Sequence, residues 1–118
     1  MGIFSVPIEV GSLEGHTFTE LDAMADTGAV TTMIPRSILE SAGIIPETRE
    51  IFTLADGSRV ELDMAQVRAR VKDRETITWV IFGNDDSKPL LGAYTLEGVF
   101  LGVDPSNRRL IPVERLLL

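Results

Sequence analysis

A mostly β domain with one or two short helices, its sheet closed or sandwiched, is the fold class this sequence predicts. Three observations predict it. Short β-prone runs recur along the chain, turn signals such as Asp56-Gly57 and Asp104-Pro105-Ser106-Asn107 separate them, and only two stretches suit a helix. No repeat at solenoid period and no low-complexity linker interrupts this pattern.

Phe4 to Val10 and Thr17 to Ala25 read as the two strands of a hairpin, joined through Gly11-Ser12-Leu13-Glu14-Gly15. Asp26-Thr27-Gly28 ends the second strand. Pro35 suits the first position of a helix running to Ser41, with Ile38 and Leu39 on its buried side and Gly43 as its C-terminal stop.

Glu50 to Leu54 and the stretch from Arg59 onward read as extended, with Asp56-Gly57 turning the chain between them. On the return strand Val60, Leu62 and Met64 share one parity while Val67, Ala69 and Val71 take the other, so a bulge near Ala65 is expected. After the polar turn Lys72-Asp73-Arg74-Glu75, the apolar run Thr76 to Phe82 reads as a central strand. Gly83 to Pro89 is a loop. Leu90-Leu91-Gly92, a helical turn over Tyr94 to Glu97, and a hairpin pairing Val99–Val103 with Leu110–Val113 complete the chain. Leu116-Leu117-Leu118 reads as a terminal strand or an edge packed on a partner.

The 118 residues fit a single domain spanning 1–118, with 44% hydrophobic and 25% charged residues as in ordinary globular proteins. A formal net charge of -7, with the 11 Lys and Arg scattered, argues against nucleic acid and anionic membranes as partners. No stretch approaches the roughly 20 apolar residues of a membrane span, and Met1-Gly2-Ile3-Phe4 does not begin a signal peptide, so a cytoplasmic protein is expected. The absence of cysteine excludes disulfides, thiolate metal sites and a Cys nucleophile. His16 is the only histidine and reads as a solvated turn residue, which argues against Ser-His catalysis and His-rich metal sites. Asp85-Asp86 reads as a solvent-facing pair, Trp79 and Tyr94 read as core, and no metal or cofactor is expected.

The chemistry concentrates in Ala23-Met24-Ala25-Asp26-Thr27-Gly28-Ala29, where a small apolar strand delivers an acid, a hydroxyl and a glycine. A carboxylate can serve as general base toward water and general acid toward a leaving amine when a second carboxylate lies close enough to share one proton. The threonine hydroxyl can bond across to a neighbouring copy, and the glycine lets its N–H approach the carboxylate. By composition alone the triplet also suits an ordinary strand-ending turn.

With these parts in order, the sequence resembles the retropepsin-like aspartic proteases of the single-domain cellular and bacterial type, from about Ser5 to Val113. The resemblance rests on Asp26-Thr27-Gly28-Ala29 after a hairpin, on the hairpin tipped by Ala55-Asp56-Gly57-Ser58, and on Leu90-Leu91-Gly92 before a short helix. Leu91 to Glu97, Val103-Asp104 and Arg109-Leu110 are most similar to the cellular and bacterial branch, whereas Val30 and Ala93 stand where retroviral members usually carry an acid and an arginine.

That resemblance implies a retropepsin-like closed β-barrel, the acid protease fold, and an aspartic endopeptidase whose catalytic Asp dyad forms across a homodimer. It implies Asp26, Thr27 and Gly28 as catalytic-loop residues, and Ala29 with the flap residues Ala55, Asp56, Gly57 and Ser58 as contacts to a peptide or protein substrate. The alternative is a catalytically inactive dimerisation or peptide-binding module of the same fold.

Overall fold

Strict alternation builds the first hairpin of the computed structural model, which describes residues 4–114. Strand β1 (Phe4–Gly11) buries Phe4, Val6, Ile8 and Val10 and exposes Ser5 and Pro7. It pairs antiparallel with β2 (Thr19–Ala25) in one register from Phe4 opposite Ala25 to Val10 opposite Thr19. Thr17 and Phe18 lie outside β2, and Phe18 instead stacks under the guanidinium groups of Arg68 and Arg70, at 4.6 and 3.8 Å.

The chain continues through β3 (Thr32–Pro35) directly into α1 (Arg36–Ser41). Pro35 sits at the N-cap rather than inside the helix, with the extended ψ of 138° that ends β3. At the other end Gly43 takes φ +77° and donates to Glu40 O, while Ile44 donates to Leu39 O, so glycine closes the helix as expected. Leu39 is buried and Ile38 packs at the edge of the core.

Strands β4 (Thr48–Thr53), β5 (Arg59–Val71) and β6 (Arg74–Gly83) form a continuous antiparallel run. The turn between β5 and β6 is tighter than expected: only Lys72 and Asp73 leave the ladder, both at positive φ. Then follow β7 (Leu90–Leu91), α2 (Ala93–Gly98) and the separate hairpin of β8 (Leu101–Asp104) and β9 (Arg109–Pro112), whose first strand begins after Val99 and Phe100. The expectation for Leu116–Leu118 lies outside the described residues.

The main sheet has the order β1-β2-β7-β3-β6-β5-β4, and β1 also pairs with β5. That extra pairing closes the sheet into a ring and leaves β4 attached to β5 alone. Ile34, Leu39, Val67, Val80 and Leu91 fill the interior. As expected, β6 is central, bonded to both β3 and β5.

No bulge occurs at Ala65. The β5–β6 register runs unbroken from Met64 opposite Ile81 to Val71 opposite Arg74, and the β4–β5 register from Thr48 opposite Met64 to Thr53 opposite Arg59. The change of parity has another cause. Ala65, Val67, Ala69 and Val71 face the ring interior, whereas Val60, Leu62 and Met64 are half-buried on the other face of a strand that leaves the ring beyond Met64.

Candidate active site

Strand β2 ends in buried Ala23 and Ala25, and delivers Asp26 half-buried at the mouth of a short loop. The backbone N–H of Asp26 donates to Leu91 O at 3.1 Å, and Ala29 N–H donates back to Asp26 O at 3.1 Å. Gly28 N–H donates to Asp26 Oδ1 at 2.9 Å. One carboxylate oxygen is thereby fixed in direction. A Cβ on Gly28 would lie 3.2 Å from that same oxygen, so glycine permits the close approach. Thr27 and Gly28 are exposed, and the Thr27 hydroxyl makes no hydrogen bond among the described residues.

The loop is held from behind by a segment distant in sequence. Leu90 and Leu91 pair parallel with Met24 and Ala25, and Leu90 also pairs antiparallel with Met33. Ala93 N–H donates to Ala29 O at 2.8 Å and Tyr94 N–H to Val30 O at 2.9 Å. Between them Gly92 runs so close that a Cβ there would meet Val30 O and Thr31 C at 2.7 Å. Only glycine fits this crossing.

Three buried threonines complete the support. Gly92 N–H donates to Thr32 Oγ1 at 3.0 Å, the Thr32 and Thr95 hydroxyls meet at 2.7 Å, and those of Thr78 and Thr95 at 2.8 Å. Sequence reasoning missed these residues, because threonine is an ordinary strand former. A signal existed at Thr78 alone, a hydroxyl flanked by Ile77 and Trp79 in the apolar part of a central strand, which had to find a buried partner.

Ala55, Asp56, Gly57 and Ser58 lie at the exposed end of the β4–β5 hairpin. Gly57 N–H donates to Leu54 O at 2.9 Å and Leu54 N–H to Ser58 O at 2.7 Å, with Gly57 at φ +88°. The Asp-Gly pair thus forms the second and third residues of a three-residue loop. Asp56 Oδ1 accepts from the Ser58 hydroxyl at 2.6 Å and from Ser58 N–H at 2.9 Å, which holds its carboxyl below the usual carboxylate range. No hydrogen bond joins this tip to the Asp26 loop among the described residues.

The base of the hairpin is tied to the ring through Asp63. Its carboxylate accepts from Arg36 of α1, and from Arg49 of β4 at 3.0 Å. Arg36 also stacks over Phe82 at 4.9 Å from the ring centre. The hydrogen bond from Arg36, aided by Arg49, holds the Asp63 carboxyl below its usual range against the opposing effect of burial.

A cavity of about 360 Å³ lies between the hairpin base and the segment after the Asp26 loop, lined by Val30, Thr31, Met64, Trp79 and Tyr94, with Thr48 and Glu50 of β4 at its wall. Tyr94 is therefore not core: it is 51% exposed, because α2 turns Thr95, Leu96 and the following Val99 inward instead. Trp79 is half-buried at the same cavity, on the β6 face opposite Thr78 and Val80.

Asp85 Oδ1 accepts from Ser37 N–H at 2.9 Å, at the start of α1. No group of three or more His, Asp or Glu side chains is placed to hold a metal ion among the described residues. Nor is any helix among them long and apolar enough to cross a membrane.

No family model matches this chain, and no curated protein matches it in sequence. Solved structures do resemble it. The solution structure of simian foamy virus (mac) protease superposes with a TM-score of 0.58 at 21% identity, over 80% of this chain and 92% of the viral one. The foamy viral protease-reverse transcriptase in complex with an RNA/DNA hybrid superposes with a TM-score of 0.59 at 18% identity, over 98% of this chain and 13% of the viral one. The chain thus spans a small part of that larger protein. At this identity the likeness is one of architecture: the ring closed by β1 and β5, with its projecting hairpin, is a retropepsin-like protease fold.

Proposed function

We propose that the chain is one protomer of a homodimeric aspartic endopeptidase, with Asp26 from each copy as the catalytic pair. The observation that carries this reading is the Asp26 loop: an accessible carboxylate, one oxygen fixed by Gly28 N–H at 2.9 Å, on a loop braced by Leu91 and Ala93. The chain contains a single Asp-Thr-Gly, so the second carboxylate comes from a second copy related by two-fold symmetry. Thr27 shapes the loop against its symmetry mate, and Ala29 with Ala55, Asp56, Gly57 and Ser58 binds the peptide backbone.

In this mechanism the two carboxyls share one proton, since like charges in contact do not both ionise at low cost. A water lies between them. The ionised carboxylate takes a proton from the water as its oxygen attacks the peptide carbonyl carbon, while the protonated partner gives its proton to the carbonyl oxygen. The resulting tetrahedral diol collapses as a proton passes to the amide nitrogen and the C–N bond breaks. Water is the nucleophile throughout, so no acyl-enzyme forms. Closure of the β4–β5 hairpin excludes bulk water from this step.

Replacing Asp26→Asn tests the assignment: the variant retains its assembly and loses peptide hydrolysis, and retention of wild-type cleavage overturns the reading. A peptide-binding module without hydrolysis is the second reading, favoured by the small residues Met24 and Ala25 ahead of Asp26 and by the single glycine, Gly57, at the hairpin tip. Peptide binding with no cleavage by the unaltered protein, from mildly acidic to neutral pH, selects that reading.

A further inference from the structure

We propose that the cavity beside the Asp26 loop is a specificity pocket for a peptide side chain with an apolar stem and a cationic end, a lysine or arginine. The proposal rests on the reading of the chain as a peptide-binding protease and names the substrate class of that site. Val30, Met64, Trp79 and Tyr94 supply apolar wall, and the volume of about 360 Å³ admits one long side chain. Val30 is 70% exposed although it is apolar, and it follows Ala29 directly on the loop that Ala93 and Tyr94 brace. A substrate lying along Asp26 therefore passes this opening.

The cavity wall carries one carboxylate, and its state decides the occupant. Glu50 is exposed and accepts a hydrogen bond from the Thr48 hydroxyl at 2.6 Å through Oε2. No lysine or arginine forms an ion pair with it among the described residues, while its neighbours Glu61 and Asp63 engage Arg49. Glu50 is thus an oriented and uncompensated anion at the rim of an apolar recess. A lysine or arginine satisfies both features at once: the methylene stem covers Met64 and the aromatic faces, and the head meets the carboxylate. Trp79 and Tyr94 add an attraction of ring face for cation. The net charge of -7 favours approach of a basic peptide over an acidic one.

The pocket carries its own reporter, because Trp79 is the only tryptophan in the chain. Peptides lacking tryptophan that differ at one position, lysine, norleucine or glutamate, are titrated against the Asp26→Asn protein while its indole emission is followed. The lysine peptide is expected to shift the emission and to bind about five- to tenfold tighter than the norleucine peptide, and the glutamate peptide weaker than both. In a second protein that also carries Glu50→Gln, the lysine preference falls to within about twofold of norleucine. Equal binding of lysine and norleucine peptides, a preference that survives Glu50→Gln, or no emission change with any peptide overturns the pocket assignment. Because binding is read through Trp79 and the Glu50 substitution while hydrolysis is not read, the outcome separates from that of the protease reading. Lysine-selective binding by a protein that never cleaves leaves the pocket standing and the protease reading lost. Cleavage without lysine selectivity does the reverse.

Discussion

The backbone N–H of Gly92 and the Thr32 hydroxyl, 60 residues apart in the chain, meet at 3.0 Å in the interior behind the Asp26 loop. Through this contact and the Thr32–Thr95–Thr78 chain of hydroxyls, α2 and β6 are tied to the loop that presents the carboxylate. Thr32→Val removes the hydroxyl without changing the shape of the side chain. It leaves a buried amide without an acceptor and should lower stability by about 1–3 kcal/mol, with Thr32→Ser recovering most of the loss. Chemical denaturation of the three proteins measures this; equal midpoints for wild type and the valine variant would contradict it.

Gly92 and Gly57 make a contrasting pair. At Gly92 an added Cβ meets backbone atoms at 2.7 Å, so Gly92→Ala forces the bracing segment off the loop and should cost at least about 2 kcal/mol. At Gly57 nothing lies within 4 Å, and the cost arises only from φ +88°. Gly57→Ala should cost about 1 kcal/mol, confined to the hairpin tip. Thermal melting ranks the two, and a larger loss at Gly57 than at Gly92 would contradict the assignment.

Asp63 sets a pH dependence for the hairpin base. Its carboxyl is held below the usual range in the folded protein, chiefly by the Arg36 hydrogen bond, so the folded state binds its proton less readily than the unfolded chain does. The resulting stability is fully present above the ordinary carboxylate range and is lost as pH falls through the lowered folded value. Asp63→Asn should therefore be less stable than wild type at neutral pH, with the gap closing in strong acid. Melting curves of both proteins at the two extremes check the sign; a gap that widens in acid is the opposite result.

Much of this arrangement is readable from residues. Strict alternation marks Phe4, Val6, Ile8 and Val10 as the inner face of β1, and the apolar run ending in Phe82 marks β6 as central. Asp26-Thr27-Gly28 and the turn at Asp56-Gly57 announce themselves because their local chemistry demands those types. What depends on partners distant in sequence is illegible. The two residues of β7 give no periodicity, yet their pairing with β2 and β3 fixes the rear of the site. Tyr94 reads as core by type, and only the rotation of α2 turns it toward the cavity. The parity change along β5 reads as a bulge, because a strand leaving the ring and a strand inserting a residue produce the same pattern. Thr78 is marked only by being a hydroxyl in a central strand, and Thr32 and Thr95, its partners in the chain of hydroxyls, carry no mark at all.

The pairing of two Asp26 side chains is tested most directly by mixing wild-type and Asp26→Asn chains, refolding them together at constant total concentration, and measuring peptide cleavage against the mutant fraction. If each active site needs one aspartate from each copy, only wild-type pairs are active and activity falls as the square of the wild-type fraction, to about a quarter in an equal mixture. A linear decline, to about half in the equal mixture, or cleavage by the mutant alone, would contradict a shared dyad.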